Sequence, residues 1–291
     1  MEIRQLITFI RAAQFQSFSK AAESLGYSQS TVTVQIRGLE DELGVRLFDR
    51  LGKKVLLTGQ GTRFLESANR IVNEVYSARQ DIKNEQELTG TLHIGTLESL
   101  CFYRLPPLLQ QFRTEHPKVS VRVCTGSPEE MIEKMERGDV DLICILDEPR
   151  DSGSWRKCVE VPEEIVFVCS PGLLPKKKSY CVQELLGKPF FLTEKNANYR
   201  RRFDQFLAAH GIELSPGIEI SDTSFIIKML EHGEGVSLLP RFAVAESVAA
   251  GRLQLLEVEN FHLTMYRQIL YHKDKWCTPE MNAFLQLAAM H

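Results

Sequence analysis

The chain has 291 residues, 43% of them hydrophobic and 25% charged, with a formal net charge of −3. That balance predicts a globular protein of two or three folding units and excludes a disordered or low-complexity chain. Apolar runs such as Ile165 to Cys169 fall far short of the roughly 20 residues of a membrane span, and Met1-Glu2-Ile3-Arg4-Gln5 has no apolar signal core, so neither a membrane protein nor a secreted one is expected.

Ile3, Leu6, Phe9, Ile10 and Ala13 recur at helical spacing and predict a first amphipathic helix. Ser19 is a candidate N-cap for a short second helix through Ala22 and Leu25, which Gly26 stops. Ser28 is a candidate N-cap for a third helix, on which Val32, Ile36, Leu39 and Leu43 form one stripe before Gly44 ends it. A short helix, a glycine turn and a second helix outline a helix-turn-helix. With the stripe inward, the third helix turns Ser30, Thr33, Val34, Arg37 and Asp41 outward. Its acidic run Glu40-Asp41-Glu42 would repel phosphates, but its N-terminal half is uncharged or basic and rich in small hydrogen-bonding residues. That polarity suits a helix entering the major groove of double-stranded DNA by its N-terminal half. Ser30, Thr33, Gln35 and Arg37 can donate to bases or phosphates, and Val34 can touch a thymine methyl. Ser28, Gln29 and Thr31 complete the candidate DNA-facing set. A three-helix bundle with an ordinary solvated face would show the same pattern.

Arg46 to Phe48 and Val55 to Leu57 read as two short strands joined by Asp49-Arg50-Leu51-Gly52-Lys53-Lys54. Such a hairpin, with Arg50, Lys53 and Lys54 at its basic tip, would serve as a wing for phosphate or minor-groove contact. Lysines that only aid solubility are the alternative. Residues 1–58 hold eight Lys or Arg against six Asp or Glu, too small a surplus to prove nucleic-acid binding.

From Phe9 to Arg50, the order Ala13, Ser17-Phe18-Ser19-Lys20-Ala21-Ala22-Glu23, Ser28-Gln29-Ser30, Val32-Thr33, Gln35-Ile36, Leu39-Glu40, Leu43-Gly44, Leu47-Phe48 resembles the winged helix-turn-helix of LysR-type transcriptional regulators. Leu57-Thr58-Gly59-Gln60-Gly61 resembles that family's junction into a linker helix. The resemblance implies a DNA-binding domain over residues 1–58, a dimerising linker over 59–89 and an effector-binding domain over 90–291. It also implies a cytoplasmic transcription factor that works with RNA polymerase.

Gly61, Leu65, Ala68, Val72, Val75, Arg79 and Ile82 alternate spacings of four and three, a heptad seam. A second copy of the chain is its expected partner, giving a homodimer or a homotetramer. The alternative is packing against the C-terminal part of the same chain.

After Leu88-Thr89-Gly90, strands and helices alternate: strand Thr91 to Gly95, helix Tyr103 to Thr114, strand Val119 to Cys124, helix Pro128 to Arg137, strand Asp141 to Leu146. A second round runs through strands Ile165 to Cys169, Phe190 to Thr193, Gly217 to Ile220 and Val236 to Leu239, with helices Arg200 to His210 and Asp222 to His232. This order predicts parallel sheet with crossover helices in two lobes, an α/β fold class. Gly95-Thr96, Leu105-Pro106-Pro107-Leu108-Leu109, Gly138-Asp139-Val140-Asp141 and Gly235-Val236 with Leu238-Leu239-Pro240 extend the LysR-type resemblance over almost the whole chain. Its effector domain is similar to periplasmic binding proteins, with lobe I over 90–161 and 265–291 and lobe II over 162–264.

Ligands of such folds sit at the carboxyl ends of strands, against helix N-termini. Candidate effector-binding residues are therefore Thr96, Ser99, Leu100, Cys101, Thr125, Gly126, Ser127 and Leu146 in lobe I, and Asn198, Tyr199, Arg200, Asp222 and Thr223 in lobe II. Hydroxyls and free N–H groups there would hold a small organic anion, with Arg200 as counter-charge. Glu98, Asp147 and Asp222 nearby keep an amino acid or amine open. Each of these residues alone could equally be a helix cap.

Seven cysteines without a C-x-x-C predict reduced thiols, several in strand cores, and seven scattered histidines predict no metal site and no cofactor. Cys169 and Cys181 do not resemble the paired arrangement of redox regulators. No Ser/His/Asp or Cys/His set stands at recognisable spacing, so an enzyme is not expected. The rival readings are a solute-binding protein or an enzyme built on the two-lobed domain.

Overall fold

The computed structural model of the chain describes residues 1–51, 54–82, 88–175, 177–233 and 235–290, with backbone alone at 50, 51, 54, 73 and 76–82. Three helices open it, α1 (Ile3–Phe15), α2 (Phe18–Leu25) and α3 (Gln29–Leu43). Ser28 caps α3 as expected, its Oγ accepting from Thr31 N at 3.2 Å. The cap of α2 is Ser17, not Ser19: its Oγ accepts from Lys20 N, so Phe18 falls inside the first turn. There the Phe18 ring is buried edge-on to Phe48, with centroids 5.5 Å apart. Gly44 closes α3 at φ +66°, a left-handed conformation that favours glycine.

Strands β1 (Phe48–Leu51) and β2 (Lys54–Leu57) form an antiparallel hairpin in which Phe48 faces Leu57. Glu40, read with Asp41 and Glu42 as one acidic run that would repel phosphates, turns toward the hairpin instead. Its Oε1 accepts from Leu47 N (2.8 Å) and Phe48 N (3.2 Å), fastening α3 to the hairpin. Beneath lies a core of Leu6, Phe9, Ile10, Val32, Ile36 and Leu39, where Phe9 meets Phe48 and Phe64 in tilted pairs at 5.3 and 5.2 Å.

Helix α4 (Gly59–Ile82) follows, and here the structure corrects the reading of the seam. Leu65, Ala68 and Val72 are buried in the same apolar cluster as α1, with Trp276 from the far end of the chain. Gly61 lies so close to the Leu47 carbonyl that a Cβ would stand 2.1 Å from its oxygen. The first four seam positions thus pack inside the protomer, while the side chains of Arg79 and Ile82 lie outside the described residues. Periodicity shows that a helix face is buried but does not say against what.

The remaining chain builds β3 (Gly90–Thr96), α5 (Glu98–Tyr103), α6 (Leu105–Glu115), β4 (Val119–Thr125), α7 (Pro128–Arg137), β5 (Leu142–Asp147) and β6 (Trp155–Cys169). Then come α8 (Val182–Leu185), β7 (Phe191–Leu192), α9 (Asn198–Ala209), β8 (Ile218–Glu219), α10 (Thr223–His232), β9 (Val236–Pro240), α11 (Arg241–Ala249), β10 (Gln254–Leu256), β11 (Leu263–His272) and α12 (Pro279–Ala289). Strand β3 runs parallel to both β4 and β5, the expected βαβ pairing. The lobes are joined by two long antiparallel strands. Trp155–Ile165 of β6 pair with β11, Ile165–Cys169 pair with β9 and Phe167–Cys169 with β10, both of the second lobe. One apolar core runs from Leu92, Phe112 and Phe284 in lobe I to Phe167, Phe190 and Phe203 in lobe II.

The last turn of α10 is clamped by Glu231, which accepts from Ser247 Oγ (2.6 Å) and pairs with Arg252 (2.7 Å) and Lys228 (2.9 Å). These partners hold its carboxyl down at about 2. Because the folded-state pKa is depressed, the stabilisation is complete above about pH 4.5 and is lost as pH falls toward 2. Glu231→Gln should therefore lower the stability of the protein by up to about 3 kcal/mol at pH 7. Urea titrations of both proteins should converge near pH 2, and an equal difference at pH 7 and pH 2.5 would contradict the assignment.

Candidate DNA-reading helix and interlobe cleft

Helix α3 has two contrasting flanks. Val32, Ile36 and Leu39 are wholly buried, whereas Val34 is 68% exposed and Ser28, Gln29, Ser30, Thr31 and Arg37 lie open beside it. The hydroxyls of this flank are oriented by one another. Ser28 Oγ is 2.7 Å from Ser30 Oγ and 2.9 Å from Thr31 Oγ1, and Thr33 Oγ1 donates to the Gln29 carbonyl (3.0 Å). Gln29 in turn accepts from Ser19 Oγ at 2.9 Å. Gln35 departs from the expected set, since its side-chain oxygen accepts from Thr8 Oγ1 of α1 and ties the residue to the bundle. Arg46, which the sequence did not single out, shares with Arg37 a groove between α3 and β1. Lys53 lies outside the described residues, as do the side chains of Arg50 and Lys54, so of the wing only the β1–β2 backbone is described.

Between the lobes opens a cleft of about 530 Å³. It collects Ser99, Thr125, Gly126, Ser127 and Leu146 from lobe I and Asn198, Tyr199, Asp222 and Thr223 from lobe II. Side chains from both lobes cross it. Asn198 Nδ2 donates to the Leu146 carbonyl (3.3 Å), and Glu98 of α5 accepts from Thr223 N (3.1 Å) and Ser224 Oγ (2.9 Å) at the start of α10. Burial pushes the Glu98 carboxyl above its usual range, those hydrogen bonds oppose the shift, and the Asp222 charge adds to it. Burial likewise raises the Tyr199 hydroxyl.

Four expected effector residues are placed elsewhere. Thr96 is fully buried, its Oγ1 donating to the Cys144 carbonyl (3.0 Å) between β3 and β5. Leu100 is 1% exposed and belongs to the apolar core, because α5 begins at Glu98 and turns it inward. Cys101 does not line the cleft, and burial and the Glu98 charge raise its thiol. Arg200 is the main correction. It is 3% exposed and points away from the cleft, pairing with Asp204 (2.8 Å) and Glu219 (3.3 Å) and donating to the Thr193 carbonyl (2.7 Å). It fastens α9 to β7 and β8 and cannot serve a ligand as counter-charge. Thr193, Glu194 and Glu130 line the cleft without having been anticipated.

All seven cysteines are free. Burial pushes the thiols of Cys144 and Cys277 up to about 12 and that of Cys169 to about 11, which leaves them unreactive near neutral pH. Among the described residues no group of three or more His, Cys, Asp or Glu is placed to hold a metal ion, and no helix is long and apolar enough to cross a membrane.

Two family descriptions fit the chain: the bacterial regulatory helix-turn-helix protein, lysR family, over residues 3–62, and the LysR substrate binding domain over residues 85–291. The chain belongs to the LysR family. It is 34% identical over 289 residues to the HTH-type transcriptional regulator YwqM of Bacillus subtilis, covering 99% of this chain and 98% of that one. It is 27% identical over 285 residues to the RuBisCO operon transcriptional regulator of Acidithiobacillus ferrooxidans, covering 98% and 92%. Among solved structures, full-length OxyR from Pseudomonas aeruginosa matches with a TM-score of 0.61 at 24% identity, over 99% of this chain and 94% of that one. Full-length CbnR with its target DNA matches at 0.51 and 23%, over 99% and 98%. At these identities the two structures establish the shared fold. As a LysR-type transcriptional regulator, the chain joins a helix-turn-helix for DNA to a two-lobed α/β effector-binding domain, which removes the reading as a solute-binding protein.

Proposed function

We propose that this LysR-type regulator acts in the cytoplasm as a homodimer or dimer of dimers, reads an inverted repeat with two copies of α3, and presents RNA polymerase with a promoter complex whose geometry a small molecule controls. The observation that carries the proposal is the contrast between the two flanks of α3, one with Val32, Ile36 and Leu39 sealed and the other with Ser30, Val34 and Arg37 open. A helix fixed on one side and exposed on the other can enter a major groove without rearranging its bundle. Thr33, Val34 and Arg37 are the base-reading positions, and Ser28, Gln29, Ser30 and Thr31 hold phosphates with the helix N-terminus.

The interlobe cleft is the effector site in this reading. Glu98 and Asn198 already bridge it, so a ligand between the lobes changes the balance of open and closed forms and thereby the spacing of paired DNA-binding domains. The chain works by binding and not by turnover.

The test is selection of duplexes from a random library by the full chain, followed by salt titration of the winner. The expected outcome is an enriched inverted repeat whose affinity falls steeply and log-linearly with salt. Failure to enrich any sequence over the starting pool would contradict the proposal.

A further inference from the structure

The charge of the cleft restricts what it can hold. Glu98 and Glu130 of lobe I stand opposite Glu194 and Asp222 of lobe II, and among the described residues no lysine, arginine or histidine lines the space between. The arginine expected there, Arg200, is turned away and paired with Asp204 and Glu219. Two of the helix N-termini where an anion would dock are also taken. Glu98 occupies the N-terminus of α10 through Thr223 N and Ser224 Oγ, and Glu130 occupies that of α7 by accepting from Ser127 N at 2.9 Å. A carboxylate in each position already satisfies the local helix dipole, so an incoming anion would meet repulsion at either end.

A second, separate feature marks the space as a ligand site. Thr193, 3% exposed, lines the cleft, and its buried Oγ1 makes no hydrogen bond of good geometry, with the Tyr199 hydroxyl its nearby polar neighbour. A buried hydroxyl left unmatched is costly, and a ligand group can supply its partner. Among the described residues no three of these carboxylates are grouped to hold a metal ion, which favours an organic cation as the match.

We infer that the effector is a small ammonium-bearing molecule, an amino acid or an amine, held between Glu98 of lobe I and Asp222 of lobe II. The inference rests on the cleft being the effector site. Without ligand, like charges face each other across the cleft and oppose the bridges that Glu98 and Asn198 make. An ammonium group between them turns that repulsion into attraction and shifts the population toward closure. The first turn of α9 has no side-chain cap and opens on the same cleft, which offers the carboxylate of an amino acid a place that a diamine would leave empty.

Thermal-shift and calorimetric titrations of the full chain with L-ornithine, putrescine and succinate test this. At least one of the two amines should bind and raise Tm while succinate does not. Binding of ornithine alone assigns the amino-acid form, and binding of putrescine assigns the simple amine. Glu98→Gln keeps one of its two acceptor oxygens, for Thr223 N, and its amide can donate to Ser224 Oγ, while asparagine at position 222 remains a good N-cap, so each mainly changes charge. Each should weaken amine binding by about tenfold or more, the loss of a charge-assisted contact, with circular dichroism reporting the fold. Succinate binding that Asn198→Ala abolishes would overturn the charge class and leave the cleft as effector site. Amine binding untouched by Glu98→Gln, Asp222→Asn and Asn198→Ala would overturn both readings. Failure of both amines to bind at millimolar concentration would likewise overturn the inference.

Discussion

Trp276→Ala is expected to split the thermal unfolding of the protein into two transitions and to lower the first of them by many degrees. Trp276 is 7% exposed and sits in the apolar cluster built by α1 and α4, more than 200 residues away in sequence. The Arg11 guanidinium lies 5.2 Å from its ring centroid. On one side Asn69 Nδ2 of α4 donates to the Asp274 carbonyl at 3.1 Å. On the other, buried Lys275 pairs with Asp141 (2.7 Å) and donates to the Val140 carbonyl (3.2 Å), fixing the segment to lobe I. Truncating a buried aromatic residue of this size costs about 3–5 kcal/mol, and here the loss falls on the surface that joins the DNA-binding bundle to the effector domain. Differential scanning calorimetry reads the outcome. A single transition at the unchanged Tm would mean that the two parts are coupled elsewhere.

The second large effect is on DNA. Arg37→Ala should weaken binding to the selected operator by about 1–3 kcal/mol, or roughly 5- to 150-fold, if the guanidinium reads a base edge. The residue is exposed one turn beyond Thr33 on the open flank of α3, and its groove-mate Arg46 remains to hold the backbone. Affinity for a scrambled duplex should therefore change much less. Fluorescence anisotropy at one fixed salt concentration measures both, and an equal loss on both duplexes would assign Arg37 to phosphate instead.

The elements that a local pattern dictates were legible in the sequence. Val32, Ile36 and Leu39 announced which flank of α3 is buried, and Gly26 and Gly44 announced where α2 and α3 stop, because helical periodicity and left-handed C-caps are set by neighbours a few residues away. The strand ends that supply Thr125, Ser127, Asn198 and Asp222 followed from the α/β order. What failed depended on partners distant in sequence. The seam from Gly61 to Val72 looked ready for a second chain, yet its partners are α1 and Trp276. Arg200 looked like a counter-charge because its position at a helix start was readable, whereas the turn of its long side chain toward Asp204 and Glu219 was not. Charged residues alternating through Trp155–Glu164 hid the first ten residues of β6, whose exposed face carries them and whose pairing strand β11 lies a hundred residues on. Glu40 was read with Asp41 and Glu42 as one acidic run, although its carboxylate faces the hairpin backbone.

The groove-facing flank of α3 is open to one direct measurement. Val34→Cys places a thiol at its most exposed apolar position, and disulfide trapping against duplexes carrying a tethered thiol at successive bases maps what that thiol can reach. Cys158, exposed on β6 of the effector domain, serves as the internal control. The expected result is trapping of position 34 at one major-groove position in each half-site and no base-dependent trapping of Cys158. Trapping of position 34 that is absent, or equal at every base, would contradict recognition by α3.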